Sequence, residues 1–298
     1  MMTCLSQERA NSHNNTKPSF LTHASAAGPG SVLQQITSNS RAQSTAGLGQ
    51  KSIELKSKRL NKFGKLQRVV AEYQMEEADK EEMGNPQACA EYAGEIFDYI
   101  KDAEFDTIAH GGYMESIQTD ISDKMRAVLV DWLIEVHLKF KLLPETLFLT
   151  VNLIDRYLEK HSISRKRLQL LGVTGMLIAC KYEEIYPPIV KDFVYITENA
   201  YTKEEILAME LAVLTTVDFD VQIASGYRFF ERYCKLVKLD DMQANFSRYL
   251  IELSLVNYQM LKYPPSMISA SSIYLIKKMS KQAEPWPEVI QRASGLTE

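Results

Sequence analysis

Several large classes of protein are excluded by what this sequence lacks. Its four cysteines stand far apart and form no CxxC pair, so neither a zinc site nor a disulfide framework is predicted. No uncharged apolar run reaches the roughly 18 residues that suggest a membrane-spanning helix, and no basic leader precedes an apolar segment. A net charge of −4 argues against a protein that coats nucleic acid. We therefore expect reduced thiols, no secretion, and neither membrane nor nucleic acid as a partner.

Catalytic signatures are missing as well. The five histidines are dispersed along the chain, and no glycine-rich phosphate loop occurs. Lys181 as a nucleophile, or Glu183 with Glu184 as an acid–base pair, is the enzymatic alternative, but adjacent glutamates on a helix point apart. The sequence therefore predicts a protein that is not an enzyme, with no catalytic residues, no cofactor and no metal.

The first 82 residues are predicted to be a disordered polar tail and linker. Residues 1–50 consist largely of Ser, Thr, Asn, Gln, Ala and Gly, and cannot bury enough apolar surface to offset their ordering entropy. A diffuse basic stretch follows over 51–68, which is either a nuclear-import signal or a solvated linker. Five acidic residues between 76 and 82 then reverse the sign of the charge, and we interpret them as a second polar linker.

A helical period begins near residue 86 and continues along the chain. An apolar stripe from Tyr92 to Ile100 predicts an N-terminal helix within 83–122, which Gly111-Gly112 ends. Five helices are predicted between 123 and 217, and a weaker echo of the same plan follows over 218–298. Because no useful stretch alternates between apolar and polar residues, the fold class is all-α, with two consecutive helical bundles.

The run from Leu168 to Tyr182 predicts the central helix of the first bundle. It is apolar or small nearly all round, which indicates burial on every side. Gly172 and Gly175 allow neighbouring helices to approach closely.

Two charged positions stand out against this apolar background. Lys181, followed by Glu183 and Glu184, closes the central helix, and Glu210 is a lone acid in the apolar run from Ile206 to Val217. Burying a single charge is costly unless it is paired. Either Lys181 and Glu210 pair with each other, or Lys181 reaches water at a helix end, or the two charges face another protein.

Several motifs, in order and correctly spaced, resemble those of the cyclin family. MRAVLVDWL at Met125–Leu133 resembles the cyclin-box signature MRAILVDWL, and LIDRYL at 153–158 resembles the family's IDRFL. KYEEIYPP at 181–188 matches the family pattern, and Glu210 falls in the helix that follows. The resemblance covers about residues 86–298 and is closest to mitotic B-type cyclins. It implies two consecutive five-helix cyclin-box bundles, at 123–217 and 218–298, of which the second is incomplete.

The resemblance implies a regulatory subunit that forms a heterodimer with a cyclin-dependent serine/threonine kinase and activates it at G2/M, in the nucleus and cytoplasm. In the family, the matches of Lys181 and Glu210 hold the mobile αC helix of the kinase, with Tyr182, Glu184 and Leu214 nearby. A non-activating scaffold and a transcription-factor-type module are the alternatives. The latter predicts a basic helical face, which the sequence does not contain.

Two further sets of residues take roles from the resemblance. Arg126 and Asp155 match a buried ion pair that holds two helices of the box, so we expect them to be structural. Met125, Trp132 and Gln169 match a groove for RxL-type substrate or inhibitor peptides. An apolar stripe on a helix is more often core than groove, so burial of the apolar members is the alternative.

The sequence departs from the family pattern at both ends. No RxxL motif or Lys-Glu-Asn triplet occurs in the tail, and the RxxL matches at Arg126–Leu129 and Arg165–Leu168 fall in the predicted box. The chain ends at Glu298, about where the last helix of the second repeat is expected to begin. We therefore expect uncovered core surface and lowered stability in the second repeat, while kinase binding through the first repeat survives.

Overall fold

The computed structural model describes residues 75–298, which form twelve α-helices and three short 3-10 helices without any β-strand. The prediction of an all-α fold is therefore confirmed. The tail predicted over 1–74, with its basic stretch, lies outside the described residues. Within 75–298, no helix combines the length and the apolar character needed to cross a membrane.

An N-terminal segment with three helices precedes the two bundles. These helices are α1 (Glu77–Lys80), α2 (Ala93–Thr107) and α3 (Tyr113–Ser116). Helix α2 ends at Thr107, before the predicted stop at Gly111-Gly112. Gly112 instead precedes α3 with a φ of 100°, a backbone conformation that glycine adopts without steric strain.

The first bundle, which we call the first repeat, consists of five helices. They are α4 (Asp123–Phe140), α5 (Pro144–Leu158), α6 (Arg165–Glu183), α7 (Val190–Ile196) and α8 (Lys203–Thr216). The capping box predicted for α8 forms, since Glu205 N donates to Thr202 Oγ1 at 3.2 Å and Thr202 N donates to Glu205 Oε2 at 2.8 Å. Pro144 occupies the first turn of α5, where a missing N–H is tolerated.

Helix α6 is the central helix of the first repeat. Every residue from Leu170 to Cys180 is buried, and the helix packs against α4, α5 and α8. A Cβ atom at Gly172 would lie only 2.7 Å from Leu129 Cδ1, so α4 approaches α6 at this glycine. The position of the functional residues at the end of α6 is therefore set by a closely packed core.

The second bundle, or second repeat, contains four helices among the described residues. They are α9 (Gly226–Val237), α10 (Asp241–Val256), α11 (Pro265–Met279) and α12 (Glu288–Ser294). Its core buries the side chains of Phe229, Tyr233, Ile251, Ile273 and Ile290. A 3-10 turn over Tyr258–Lys262 connects α10 to α11, and α11 packs against both α9 and α10.

The acidic run near residue 80 is not a linker, which corrects the prediction for residues 75–82. Residues Glu77–Lys80 of this run form α1, and Asp79 is fully buried against the second repeat. Arg232 Nη2 donates a hydrogen bond to Asp79 Oδ2 at 2.7 Å, and Lys238 Nζ donates to Glu81 at 2.6 Å. Buried carboxylates require such partners. The segment therefore docks on α9 through charges that the sequence pattern assigned to solvent.

Candidate functional site

Lys181 and Glu210 form an ion pair at the surface of the first repeat. Lys181 lies in the last turn of α6, Glu210 lies in α8, and the two helices pack against each other. Lys181 Nζ is 2.5 Å from Glu210 Oε1, with the lysine side chain 46% exposed and the glutamate side chain 14% exposed. The mutual pairing that was one alternative thus occurs in the isolated chain, and it leaves the lysine accessible to a partner.

Large apolar side chains next to this pair are exposed to solvent. Tyr182, at the end of α6, is half-exposed, and Ile185 and Tyr186 in the following loop are 84% and 93% exposed. The two prolines at 187 and 188 do not support a continued helix, so the chain leaves the bundle here. The loop therefore presents its apolar side chains to solvent.

Helix α8 contributes the other half of this surface. Leu207, Glu210 and Leu214 follow one another at intervals of three and four residues, and so share one face of the helix. Leu207 and Leu211 are exposed, whereas Leu214 is half-buried against the core. We define the Lys181 surface as the following residues: Lys181, Tyr182, Ile185, Tyr186, Leu207, Glu210, Leu211 and Leu214.

Of the two glutamates after Lys181, Glu184 has a structural role within the chain. Glu184 Oε1 accepts hydrogen bonds from Leu143 N at 2.7 Å and from Thr146 Oγ1 at 2.6 Å, and so caps the start of α5. Burial, together with nearby carboxylates, raises the pKa of Glu183, while Arg228 acts in the opposite direction. Glu184 thus holds the end of α6 against the start of α5.

Arg126 on α4 and Asp155 on α5 form a buried bidentate ion pair. Arg126 Nε and Nη2 each donate to one carboxylate oxygen at 2.6 Å, and the two side chains are 1% and 2% exposed. Tyr113 Oη donates a further hydrogen bond to Asp155 Oδ1 at 2.8 Å. Burial and the negative charge of Asp155 raise the pKa of Tyr113, which keeps this hydroxyl protonated as a donor.

Arg126 also contacts the second repeat, which the sequence did not predict. Its Nη1 donates to the carbonyl oxygen of Leu255, in the last turn of α10, at 2.9 Å. Tyr258 Oη accepts hydrogen bonds from Gly112 N at 2.7 Å and from Met114 N at 3.2 Å. The buried pair therefore belongs to a network that joins the N-terminal segment and both repeats.

The residues predicted for a peptide groove lie where α4 packs on α6. Met125, Leu129 and Trp132 share one face of α4 by their spacing, and Leu129 is buried against Gly172. Gln169 precedes Gly172 by three residues and so lies on the same face of α6. Met125, Trp132 and Gln169 are each half-buried. Leu129 therefore belongs to the core, while the three predicted residues are partly accessible.

Neither a metal site nor a reactive cysteine has support in the described part of the chain. Within residues 75–298, no group of three or more His, Cys, Asp or Glu side chains is placed to hold a metal ion. Cys180 is buried in α6, and burial raises the pKa of its thiol to about 12. The reactive thiolate form is therefore scarce near neutral pH.

Two groups of residues at these sites were missed from the sequence. Ile185 and Tyr186 belong to the KYEEIYPP motif, but an apolar side chain is by default assigned to a core. Their position directly before two prolines, outside any helical period, was the available signal. The neighbouring sequence does not predict the hydrogen bonds of Tyr113 and Tyr258, because their partners lie far away in sequence.

Comparisons with known proteins identify the family to which this chain is similar. The profile described as "Cyclin, N-terminal domain" matches residues 95–222, and "Cyclin, C-terminal domain" matches residues 225–298. Cyclin-B2-1 of Oryza sativa subsp. japonica is 45% identical over 223 residues, which cover 75% of this chain and 53% of that protein. The G2/mitotic-specific cyclin-B of Arbacia punctulata is 47% identical over 202 residues, covering 68% of this chain and 49% of that protein.

A solved structure agrees with this assignment at the level of the fold. The viral cyclin from herpesvirus saimiri superimposes with a TM-score of 0.61 at 20% identity, over 67% of this chain and 90% of that chain. The two helical repeats and the two matching domain profiles identify the chain as a cyclin-fold protein. This chain belongs to the cyclin family, and the relatives above are B-type cyclins. The chain spans about half the length of those relatives.

Proposed function

We propose that this protein is the regulatory subunit of a cyclin-dependent serine/threonine kinase, which it binds and activates at the G2/M transition. Membership of the cyclin family supports the proposal, as do relatives that include a G2/mitotic-specific cyclin-B. The observation that carries it is the Lys181–Glu210 ion pair within the exposed apolar Lys181 surface. Contiguous exposed apolar groups with polar neighbours mark interaction sites. The location of this protein in the nucleus and cytoplasm stays a prediction.

The mechanism rests on the position of one kinase helix. A protein kinase is active only when a glutamate of its αC helix pairs with a lysine on a β-strand. The Lys181 surface offers apolar area beside one cation and one anion, which suits the αC helix and the backbone around it. It activates the kinase to the extent that it binds the inward position of αC more tightly than the outward one.

The Lys181 surface is anchored before the kinase arrives. Lys181 follows directly after the buried stretch Leu170–Cys180, and Glu184 ties the end of α6 to the start of α5. Tyr182 and Leu214 then add apolar area next to the pair. A site that is already ordered loses less conformational entropy on binding. In this proposal Glu184 acts by positioning the end of α6.

The first experiment measures peptide phosphorylation by a cyclin-dependent kinase mixed with three forms of this protein. They are the wild type, Lys181→Glu, and the charge-swapped variant Lys181→Glu/Glu210→Lys. We expect Lys181→Glu to abolish activation, because it places two carboxylates together and removes the cation. The swapped variant restores an internal ion pair with reversed polarity. If the kinase contacts these charges, the swapped variant stays inactive although its thermal unfolding matches that of the wild type.

Arg165→Glu is the matched control. Arg165 forms an exposed ion pair with Asp120 at the opposite end of α6, about 24 Å from Lys181 along the helix axis. This variant is expected to activate the kinase like the wild type. Full activation by the swapped variant would mean that the pair is only structural, and would contradict the proposal. A folded wild type that binds the kinase without activating it would favour the non-activating scaffold.

We also propose that the groove between α4 and α6 binds RxL-type substrate or inhibitor peptides. The half-buried Met125, Trp132 and Gln169 support this, as does Glu135, which is exposed three residues after Trp132 and could pair with the peptide arginine. Fluorescence anisotropy of a labelled RxL peptide tests it. Trp132→Ala is expected to weaken binding at least about tenfold, while Lys181→Glu leaves it unchanged. Equal affinity of Trp132→Ala and the wild type would contradict this second proposal.

A further inference from the structure

The proposed peptide groove between α4 and α6 has two distinct ends, because the two helices run side by side in the same direction. At their starts, Arg165 Nη2 on α6 lies 2.8 Å from Asp120 Oδ1, just before α4. At their ends, Leu143 N, just after α4, donates to Glu184 Oε1, just after α6, at 2.7 Å. The first turns of both helices therefore form one end of the groove, and their later turns form the other.

The exposed side of α4 along this groove changes its charge from one end to the other. Four exposed residues follow one another at intervals of four, three and four, and so form one row on the helix: Lys124, Val128, Asp131 and Glu135. Val128, in the middle of the row, is 70% exposed. Lys124 and Glu135 are about 16 Å apart along the helix axis, and Lys139 lies one turn beyond Glu135. The row therefore starts with a cation, continues with an apolar side chain and then carries two carboxylates.

A second cation lies at the same end, on α6. Lys166 is in the first turn of α6 and precedes Gln169 by three residues, so the two share one face of the helix. Lys124 and Lys166 are both exposed, and neither forms an ion pair among residues 75–298. Asp123, the acidic neighbour of Lys124, points about 100° away around the helix. Because the helix dipole disfavours cations in a first turn, these lysines do not stabilise their own helices. They leave unpaired positive charge at this end of the groove.

We propose that the groove between α4 and α6 selects RxL-type peptides in which an acidic residue follows the leucine by about three positions. The inference rests on the proposed docking of RxL-type peptides in this groove. The peptide arginine pairs with Asp131 and Glu135, and the leucine then lies near Val128. An extended chain advances about 3.3 Å per residue, so the span from Glu135 to Lys124 corresponds to about five residues after the arginine. An acidic side chain there meets Lys124 and Lys166, and fixes the direction in which the peptide binds.

The test measures fluorescence anisotropy of three labelled peptides that share Arg-Ala-Leu in an otherwise uncharged background. The first peptide has no acidic residue, the second has a glutamate three positions after the leucine, and the third has it three positions before the arginine. The second and third peptides have the same composition and net charge, so only the position of the acid differs. The second is expected to bind the wild type about threefold more tightly than the third, an effect typical of exposed ion pairs.

Lys124→Ala/Lys166→Ala removes both cations. This variant is expected to bind the second and third peptides equally, with unchanged affinity for the first. Lys262→Ala/Lys281→Ala, which removes two exposed lysines from the second repeat, is the matched control and is expected to keep the preference. Equal binding of the two peptides by the wild type would overturn the inference, as would a preference that survives in Lys124→Ala/Lys166→Ala. In either case, binding of the first peptide would still support the groove, whereas its failure to bind would overturn the proposed docking as well.

Discussion

The central helix of the first repeat buries apolar and glycine residues, whereas its counterpart in the second repeat, α11, buries a row of serines. On α6, the buried stretch Leu170–Cys180 packs directly against its neighbours, with α4 closest at Gly172. On α11, Ser269 Oγ donates to the carbonyl oxygen of Gly226 at 2.6 Å, and Ser272 Oγ donates to that of Ser269 at 2.7 Å. The central helix of the first repeat is thus stabilised mainly by packing. That of the second repeat also depends on hydrogen bonds from its buried serine side chains.

The second repeat also depends on the N-terminal segment. Glu104 of α2 accepts hydrogen bonds from Ser266 N at 3.1 Å and Ser266 Oγ at 2.8 Å, at the start of α11. Asp79 of α1 forms a buried ion pair with Arg232 of α9. Leu275 on α11 is 44% exposed, whereas the middle turns of α6 are buried on all sides. In the first repeat, an apolar central helix supplies stability by packing. In the second repeat, polar contacts between residues far apart in sequence therefore supply part of that stability.

The largest effect is expected where the repeats meet, at Arg126. Arg126→Ala leaves the buried Asp155 without its bidentate partner and removes the contact with the carbonyl oxygen of Leu255. We expect the free energy of unfolding to fall by about 3–5 kcal/mol, as measured by urea unfolding followed by circular dichroism. Arg165→Ala, which breaks an exposed pair with Asp120, is the control with little effect. A similarly small loss in Arg126→Ala would show that this network does not join the repeats.

The docking of α1 on α9 gives the next largest effect. Asp79→Ala removes the buried carboxylate that Arg232 binds, and we expect a loss of about 3 kcal/mol. This is the lower end of the range for buried pairs, because Arg232 keeps its position 5.0 Å from the ring of Phe97. Native-state hydrogen exchange locates the effect: protection should fall in α9 and not in α6. Equal loss of protection in both helices would contradict the proposed difference between the repeats.

Much of the first repeat could be predicted from the sequence, because its signals are local. The nearly continuous run of apolar and small residues from Leu168 indicated a helix buried on all sides, and Thr202 with Glu205 predicted the start of α8. The roles of Lys181 and Glu210, in contrast, came from the resemblance to a family and not from spacing alone. On the residues alone, mutual pairing or a lysine that reaches water was favoured over an external partner, and the resemblance reversed that preference.

The contacts of the second repeat could not be predicted, since their partners are far apart in sequence. Arg232 lies 153 residues from Asp79, and Ser266 lies 162 residues from Glu104. The charges around Asp79 have the pattern of a solvated linker, and nothing local distinguishes the one buried carboxylate among them. Only the tertiary structure decides which acid of such a run is desolvated.

One small substitution in each central helix compares their packing directly. Gly172→Ala places a Cβ atom 2.7 Å from the buried Leu129, and the overpacking is expected to lower the free energy of unfolding by about 1–3 kcal/mol. Ser269→Ala removes the hydrogen bond to Gly226, with an expected loss of about 1 kcal/mol. Gly84→Ala is the control, because nothing lies within 4 Å of its Cβ position. A larger loss in Ser269→Ala than in Gly172→Ala, by urea unfolding, would reverse the comparison.

The smallest expected effect is a pH dependence that Glu104 confers on the second repeat. Burial raises the pKa of Glu104, although its hydrogen bonds from Ser266 and the charge of Lys101 act in the opposite direction. Because the folded-state pKa lies above the ordinary value, the protonated form is the one that folding favours. The contribution of Glu104 to stability is therefore fully present below the ordinary pKa and is lost as the pH rises through the folded-state pKa.

Glu104→Gln isolates this contribution, because the amide keeps the shape of the side chain and can accept from Ser266 but does not titrate. The measured quantity is the unfolding free energy of the wild type minus that of Glu104→Gln at several pH values. This difference is expected to fall as the pH rises from below the ordinary pKa of a glutamate through the raised folded-state pKa of Glu104. The subtraction cancels the effect of the raised pKa values of Glu183 and Glu231. A constant difference would mean that the hydrogen bonds from Ser266 fully offset the burial of Glu104, so that the second repeat holds this carboxylate as readily charged as neutral.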